Sequence, residues 1–138
     1  EIGVGPRRVD NVLVVFKAYV TRVGEGPLEG ELTIDETTRR GWIERGSVTG
    51  RLRRVAPFNF KLAERAVMLN SATCLAITKL DSLYPDARGV KNWNNLPREA
   101  REWIEEIESK LKRPVVLIGT GERVDEIVDR TRELGVEL

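Results

Sequence analysis

The 138 residues are enough for one domain with a core of its own and too few for two ordinary ones. Their 23 basic and 22 acidic side chains leave a net charge of +1, which excludes an overall field of the kind that draws a protein to nucleic acid or a membrane surface. Histidine is absent, so chemistry that needs a neutral-pH general acid of that type must take it from elsewhere.

Cys74, the lone cysteine, stands in an apolar run and reads as a small core residue of a reducing compartment. No apolar run approaches about 18 residues and no signal peptide is visible, so the expectation is a soluble, cytoplasmic chain. A charged fraction of 33% with one Met leans towards a thermophilic source. The sequence offers no metal-ligand set and no glycine-rich Gly-x-x-x-x-Gly-Lys-Ser/Thr phosphate loop.

In chain order, residues 3–8 (Gly-Val-Gly-Pro-Arg-Arg) form a turn-rich opening whose two arginines either contact phosphate or stay solvated. Residues 12–23 are β-branched and aromatic, with Phe16, Ala18 and Val20 alternating against Lys17, Tyr19 and Thr21, which predicts one long strand. It runs into Thr21-Arg-Val-Gly-Glu-Gly-Pro27, either a plain hairpin turn or a loop that glycine lets approach a ligand. Thr33-Ile-Asp-Glu36 has capping-box spacing and predicts a short helix ended by Gly41.

Residues 44–54 (Glu-Arg-Gly-Ser-Val-Thr-Gly-Arg-Leu-Arg-Arg) are too irregular for a helix and too polar for a buried strand. Backbone N–H groups, the Thr49 hydroxyl and the forked donors of Arg51, Arg53 and Arg54 suit carboxylate or phosphate recognition; a solvated basic turn is the competing reading. Residues 59–70 carry Leu62, Ala63, Ala66, Val67 and Leu69 at helical spacing.

That helix leads into Thr73-Cys-Leu-Ala-Ile-Thr-Lys-Leu-Asp81, a buried strand whose last residues emerge at a sheet edge, where open α/β sheets bind ligands. Residues 82–95 form a polar connection. Pro97, with Asn94 or Asn95 as cap, opens a helix whose stripe Leu96, Ala100, Trp103, Ile104, Ile107 and Leu111 is core. Residues 114–118 give a second buried strand ending in Gly119-Thr120-Gly121, joined to the first by a right-handed strand–helix–strand crossover. Val124, Ile127, Val128, Thr131 and Leu134 predict a last helix over the sheet.

The strand end Thr78-Lys79-Leu80-Asp81 resembles the guanine-specificity motif of GTP-binding proteins. An ionised carboxylate offers two coplanar acceptors to the N1 and N2 donors of guanine, which adenine cannot match, so Asp81 is the candidate base reader and Lys79 its platform. Amides of Gly119 to Gly121 on the neighbouring tip can reach the guanine O6.

Taken together, residues 3–10, 17–27, 48–54, 75–81 and 119–121 resemble, in order, the C-terminal part of the adenylosuccinate synthetase family in its shorter archaeal form. The resemblance implies an α/β fold with a partial, mostly parallel sheet and flanking helices, the C-terminal part of a larger P-loop-like GTP-dependent ligase. It also implies phosphorylation of IMP O6 by GTP with Mg2+, then displacement of the phosphate by L-aspartate to give adenylosuccinate, for AMP in purine biosynthesis. The substrate loop, residues 44–54, would bind through Ser47, Val48, Thr49, Gly50, Arg51, Leu52 and Arg53. Thr49 and Arg51 would hold aspartate carboxylates, Arg51 would also reach IMP, and Val23 would touch the IMP ribose. Arg53 would lie between aspartate and the GTP phosphates, and Lys79, Leu80, Asp81, Gly119, Thr120 and Gly121 would hold guanine. No catalytic residue and no metal ligand is assigned to this chain.

The same resemblance places the phosphate loop, the catalytic residues and the Mg2+ ligands in an N-terminal portion not present in these residues, and it implies a homodimer. A start at Glu1 without a methionine agrees with a C-terminal piece that is inactive alone. The alternative is a non-catalytic guanine-nucleotide-binding module acting with a partner chain. Gly119 stands where many family members carry Ser, Ala56-Pro57 replaces a Gly-Trp pair, Leu52 an arginine or proline, and Glu122 a proline.

Overall fold

A computed structural model describes residues 3–48 and 50–138. In chain order its elements are β1 (Leu13–Lys17), β2 (Tyr19–Arg22), α1 (Ile34–Arg39), β3 (Arg54–Pro57), α2 (Phe60–Asn70), β4 (Cys74–Thr78), α3 (Leu80–Leu83), α4 (Arg98–Leu111), β5 (Val115–Gly119), β6 (Ile127–Asp129) and α5 (Thr131–Leu134). The larger sheet has the order β1-β4-β5-β6, and β2 pairs with β3 in a two-stranded sheet of its own. β1, β4 and β5 are parallel, with Lys17 opposite Thr78 and Ile77 opposite Ile118, so their carboxyl ends meet at one edge. β6 is antiparallel to β5. This is the mostly parallel α/β sheet with flanking helices that the sequence pattern predicts.

The core is laid down on β4, where Cys74, Leu75, Ala76 and Ile77 are all buried, as the central strand of a sheet covered on both faces must be. Leu75 and Ile77 cluster with Val115 and Ile118 against Ala63 and Val67 of α2 and Ala100, Ile104, Ile107 and Leu111 of α4. Each of the Leu, Ile and Val side chains among these contributes roughly 1.5–3 kcal/mol by leaving water. Trp103 completes the predicted α4 stripe from a half-buried position, edge-on to Phe58 at 5.5 Å between ring centroids. Phe58 in turn meets Phe16 of β1 at 5.9 Å, which ties the end of the small sheet to the large one.

Local signals set the helix starts as predicted at two places. Thr33 accepts from Glu36 N while the Glu36 carboxylate accepts from Thr33 N, closing the capping box of α1. Asn59 accepts from Leu62 N at 2.9 Å and caps α2.

Elsewhere tertiary pairing overrides the pattern. The run at 12–23 is two strands in two sheets. β4 ends at Thr78, whose carbonyl still accepts from Ala18 N at 2.9 Å, so the ladder runs out there and residues 19–22 pair with β3 instead. α2 buries Ala63 and Val67 but leaves Leu62 and Leu69 exposed, because it packs against α4 and β1 on one side only. Asn94 and Asn95 do not cap α4. They belong to a separate 3-10 turn, Trp93–Asn95, which Asn92 caps by accepting from Asn94 N, and α4 begins directly after Pro97. The predicted last helix is mostly strand: Ile127 and Val128 lie in β6, Val124 is exposed, and α5 spans only four residues. A helical period is matched by those residues, but β5 needs a partner on its open side, and pairing with residues 127–129 satisfies its backbone.

Ile104→Ala, at a fully buried site, is expected to cost about 2–5 kcal/mol, whereas Leu62→Ala on the open face should stay within about 0.5 kcal/mol. Urea denaturation with an unchanged m-value checks both.

Candidate functional site

The carboxyl ends of β1, β4 and β5 open onto one cavity of about 340 Å³, lined by Lys17, Glu44, Arg53, Thr78, Lys79, Asp81, Gly119, Gly121 and Glu122. Its size falls within the range of small-molecule sites, and it lies where an open α/β sheet offers its strand ends. The chain leaves β4 at Lys79, which takes the left-handed conformation (φ 64°). That turn drives the Leu80 side chain wholly into the core and sets Asp81 in the first turn of α3, on the cavity wall. The Asp81 side chain is only 7% exposed and its Oδ2 lies 3.4 Å from Nη2 of Arg88, which is itself 72% exposed.

The second tip is a hairpin between β5 and β6. Thr120 is fully buried; its hydroxyl donates to Val90 O at 2.8 Å, its amide donates to Glu126 O, and its carbonyl accepts from Gly89 N. With these groups spent, Thr120 anchors the turn: it is absent from the cavity lining, and its amide, one of those expected to be offered to guanine O6, is engaged within the hairpin. A Cβ at Gly121 would displace the Glu126 carboxylate, which accepts from Arg123 N within the turn. At Gly119 a Cβ would sit 3.5 Å from Thr78 Cα, an ordinary contact, so a serine fits this backbone as well.

A polar node centred on Glu44, at the same cavity, was not singled out by the sequence. The Glu44 carboxylate accepts from Tyr19 OH at 2.6 Å, from Lys17 Nζ at 3.1 Å and from Arg53 Nη1 at 3.4 Å. Tyr19 is held by a parallel stack on Trp42, 4.7 Å between centroids, and the Trp42 indole donates to Ser82 O at 2.8 Å, one residue beyond Asp81. Burial alone would raise the Glu44 pKa, but the hydrogen bonds from Tyr19 and Lys17 outweigh it together and hold the carboxyl below its ordinary range. Burial lowers the Lys17 ammonium against the pull of Glu44, and burial with the Glu44 bond pushes the Tyr19 phenol well above its usual value. A lysine beside a tyrosine at the end of an apolar strand, with an acid heading the arginine-rich loop, was the signal available.

Residues 44–54, the loop expected to meet substrate, form a small hairpin closed by Arg53 N to Glu44 O, Gly46 N to Arg51 O and an Arg45–Leu52 bridge. Of its predicted binding residues, only Arg53 reaches the cavity among the described residues. Ser47, Val48, Gly50 and Arg51 sit exposed at or near the tip, and Leu52 lines a separate apolar hollow with Leu32, Ile34, Ile43 and Val55. Thr49 lies outside the described residues. Val23 is half exposed beyond β2 and away from the cavity.

A family model described as adenylosuccinate synthetase matches residues 1–86 of the 138. The chain belongs to the adenylosuccinate synthetase family. It is 49% identical over 130 residues to the adenylosuccinate synthetase of Thermococcus onnurineus and 48% identical to that of Pyrococcus horikoshii, each alignment covering 94% of this chain and 38% of the relative. The chain thus spans about two-fifths of the length of these relatives. A fully ligated adenylosuccinate synthetase from Plasmodium falciparum superposes with a TM-score of 0.84 at 25% identity, over 93% of this chain and 42% of that one. A cyanophage S-2L succinoaminodeoxyadenylate synthetase shares the fold, with a TM-score of 0.64 at 19% identity over 94% of this chain and 37% of that one. Among the described residues no helix is long and apolar enough to cross a membrane, and no three His, Cys, Asp or Glu side chains gather as a metal site.

The lowered pKa of Glu44 has a sign that can be tested. A carboxyl held below its unfolded value of 4.5 contributes stability above that pH and loses it as pH falls through the folded value. The gap in melting temperature between wild type and Glu44→Gln, measured from neutral pH downwards, should therefore narrow below about pH 4.5.

Proposed function

We propose that this chain is the guanine-reading and aspartate-placing part of an adenylosuccinate synthetase, which ligates IMP and L-aspartate at the expense of GTP. One observation carries the reading: in a member of this family, Lys79, Asp81, Gly119, Gly121 and Arg53, from three distant stretches, line a single cavity. A guanine seated between the tips would donate N1–H and N2–H to the Asp81 carboxylate and lie along the Lys79 stem. Adenine presents an acceptor at N1 and leaves that carboxylate unpaired, which is the costlier error in a partly dry site. Arg53, on the adjoining wall, suits the anionic end of the nucleotide or an aspartate carboxylate.

On this reading, the γ-phosphoryl group passes to IMP O6, the aspartate amine attacks C6, and phosphate leaves. The exposed loop tip with Ser47, Val48, Gly50 and Arg51, and the Thr49 it carries in sequence, would meet aspartate and IMP, and Val23 the ribose, when the remainder of the enzyme supplies the facing wall. Leu80 would serve guanine through its backbone only, since its side chain is in the core. Mg2+, which the family resemblance implies for GTP chemistry, would draw its ligands from outside the described residues. A homodimer belongs to the same reading.

In the complete enzyme, Asp81→Asn is expected to weaken GTP binding by roughly 1.5–3 kcal/mol, the range for hydrogen bonds to a charged group, and to let xanthosine triphosphate compete better. Steady-state formation of adenylosuccinate with each triphosphate measures this, and an unchanged base preference would refute the guanine assignment. Tight GTP binding without any turnover in the complete protein would instead favour a nucleotide-binding module.

A further inference from the structure

Glu44 itself lies outside the residues assigned above to base or substrate, yet it lines the same cavity. Glu44 and Arg53 bracket the substrate hairpin, joined by Arg53 N to Glu44 O at 2.9 Å. The Glu44 carboxylate spends its shorter bonds on Tyr19 and on Lys17, whose ammonium also donates to Thr21 at 2.6 Å. Arg53 receives only the long contact of 3.4 Å, and its buried Nε has no acceptor among the described residues. A guanidinium tethered through Nη1 by one long contact, and about one-third exposed where it lines the cavity, is placed to meet an anion that arrives later. The tether itself cannot drift. Tyr19 is clamped by the Trp42 stack, and Trp42 is pinned to Ser82 beside the guanine reader.

We infer that Glu44 is a positioning residue: it fixes the hinge of the substrate hairpin and orients Arg53 toward an incoming phosphate or carboxylate, without touching either. The inference rests on the ligase reading for the identity of those anions, GTP phosphate or aspartate. Glu44→Gln keeps the shape and can still accept from Tyr19, but it withdraws the charge that steadies Lys17 and Arg53.

The test uses the complete enzyme with kcat and KM for GTP and for aspartate, together with calorimetric binding of GTP and of aspartate. Glu44→Gln should raise the KM of an anionic substrate by about tenfold, the scale of one charge-assisted hydrogen bond, while the preference for GTP over xanthosine triphosphate stays put. A rise confined to aspartate assigns the anion as its carboxylate, and a rise confined to GTP assigns it as phosphate. Arg53→Lys added to Glu44→Gln should cost less than the product of the two single effects, since both act through one guanidinium. Tyr19→Phe, which keeps the ring stack, should move the same constant in the same direction by about threefold and serves if Glu44→Gln does not fold. Constants within about twofold of wild type, or effects of Glu44 and Arg53 that multiply independently, overturn the role of Glu44. Calorimetric binding of GTP and of aspartate needs no turnover, so the two together decide that role even if the wild type makes no adenylosuccinate, a result that would overturn the ligase reading alone.

Discussion

The parallel pairing of β4 with β5 is the constraint on which the rest of the molecule depends. It is a buried ladder: Leu75, Ile77, Val115 and Ile118 take part in the same core, and α4 forms the crossover between the two strands. Because parallel strands finish on the same side, Lys79-Leu80-Asp81 and Gly119-Thr120-Gly121 are delivered to one edge although about 40 residues separate them in sequence. β1 adds a third tip, with Lys17 in register with Thr78. The site is the open end of the core itself, and its geometry is as stiff as the packing beneath it.

Around that edge the polar groups divide the work. Those turned inward hold the backbone: Thr120 ties the β5–β6 hairpin to Val90, and Trp42 ties the start of the 44–54 hairpin to α3. Those that line the cavity, Asp81, Lys79 and Arg53, bring charge to its wall. Glu44 belongs to both sets, since it balances two cations while its own backbone closes the hairpin that carries the arginines. Such a charge pair on a partly shielded wall contributes more to orientation than to stability.

Matching two-fifths of its relatives' length, the chain carries several apolar groups at its surface. Val15 of β1, Leu62 and Leu69 of α2, and Ile34 near the Leu52 hollow are each more than half exposed. They lie on elements that are covered on one side only by the described residues, which is why α2 shows two turns of apolar side chain and buries just Ala63 and Val67.

The sequence by itself determined what short-range chemistry controls. The buried character of residues 74–78 and 115–118, the Thr33 capping box, the Asn59 cap and the α4 stripe follow from side-chain period and cap type, and Lys79 with Asp81 at a strand end could be read as a base-recognition pair. Tertiary structure decided what depends on partners distant in the chain. Whether residues 12–23 make one strand or two rests on where β4 stops offering carbonyls; whether 127–129 coil or extend rests on the open edge of β5. Glu44 reads from sequence as the first residue of a polar loop. Its place as the acceptor shared by Lys17, Tyr19 and Arg53 exists only once two sheets have brought those donors together, because a hydrogen bond is specified by distance in space and local spacing carries no record of it.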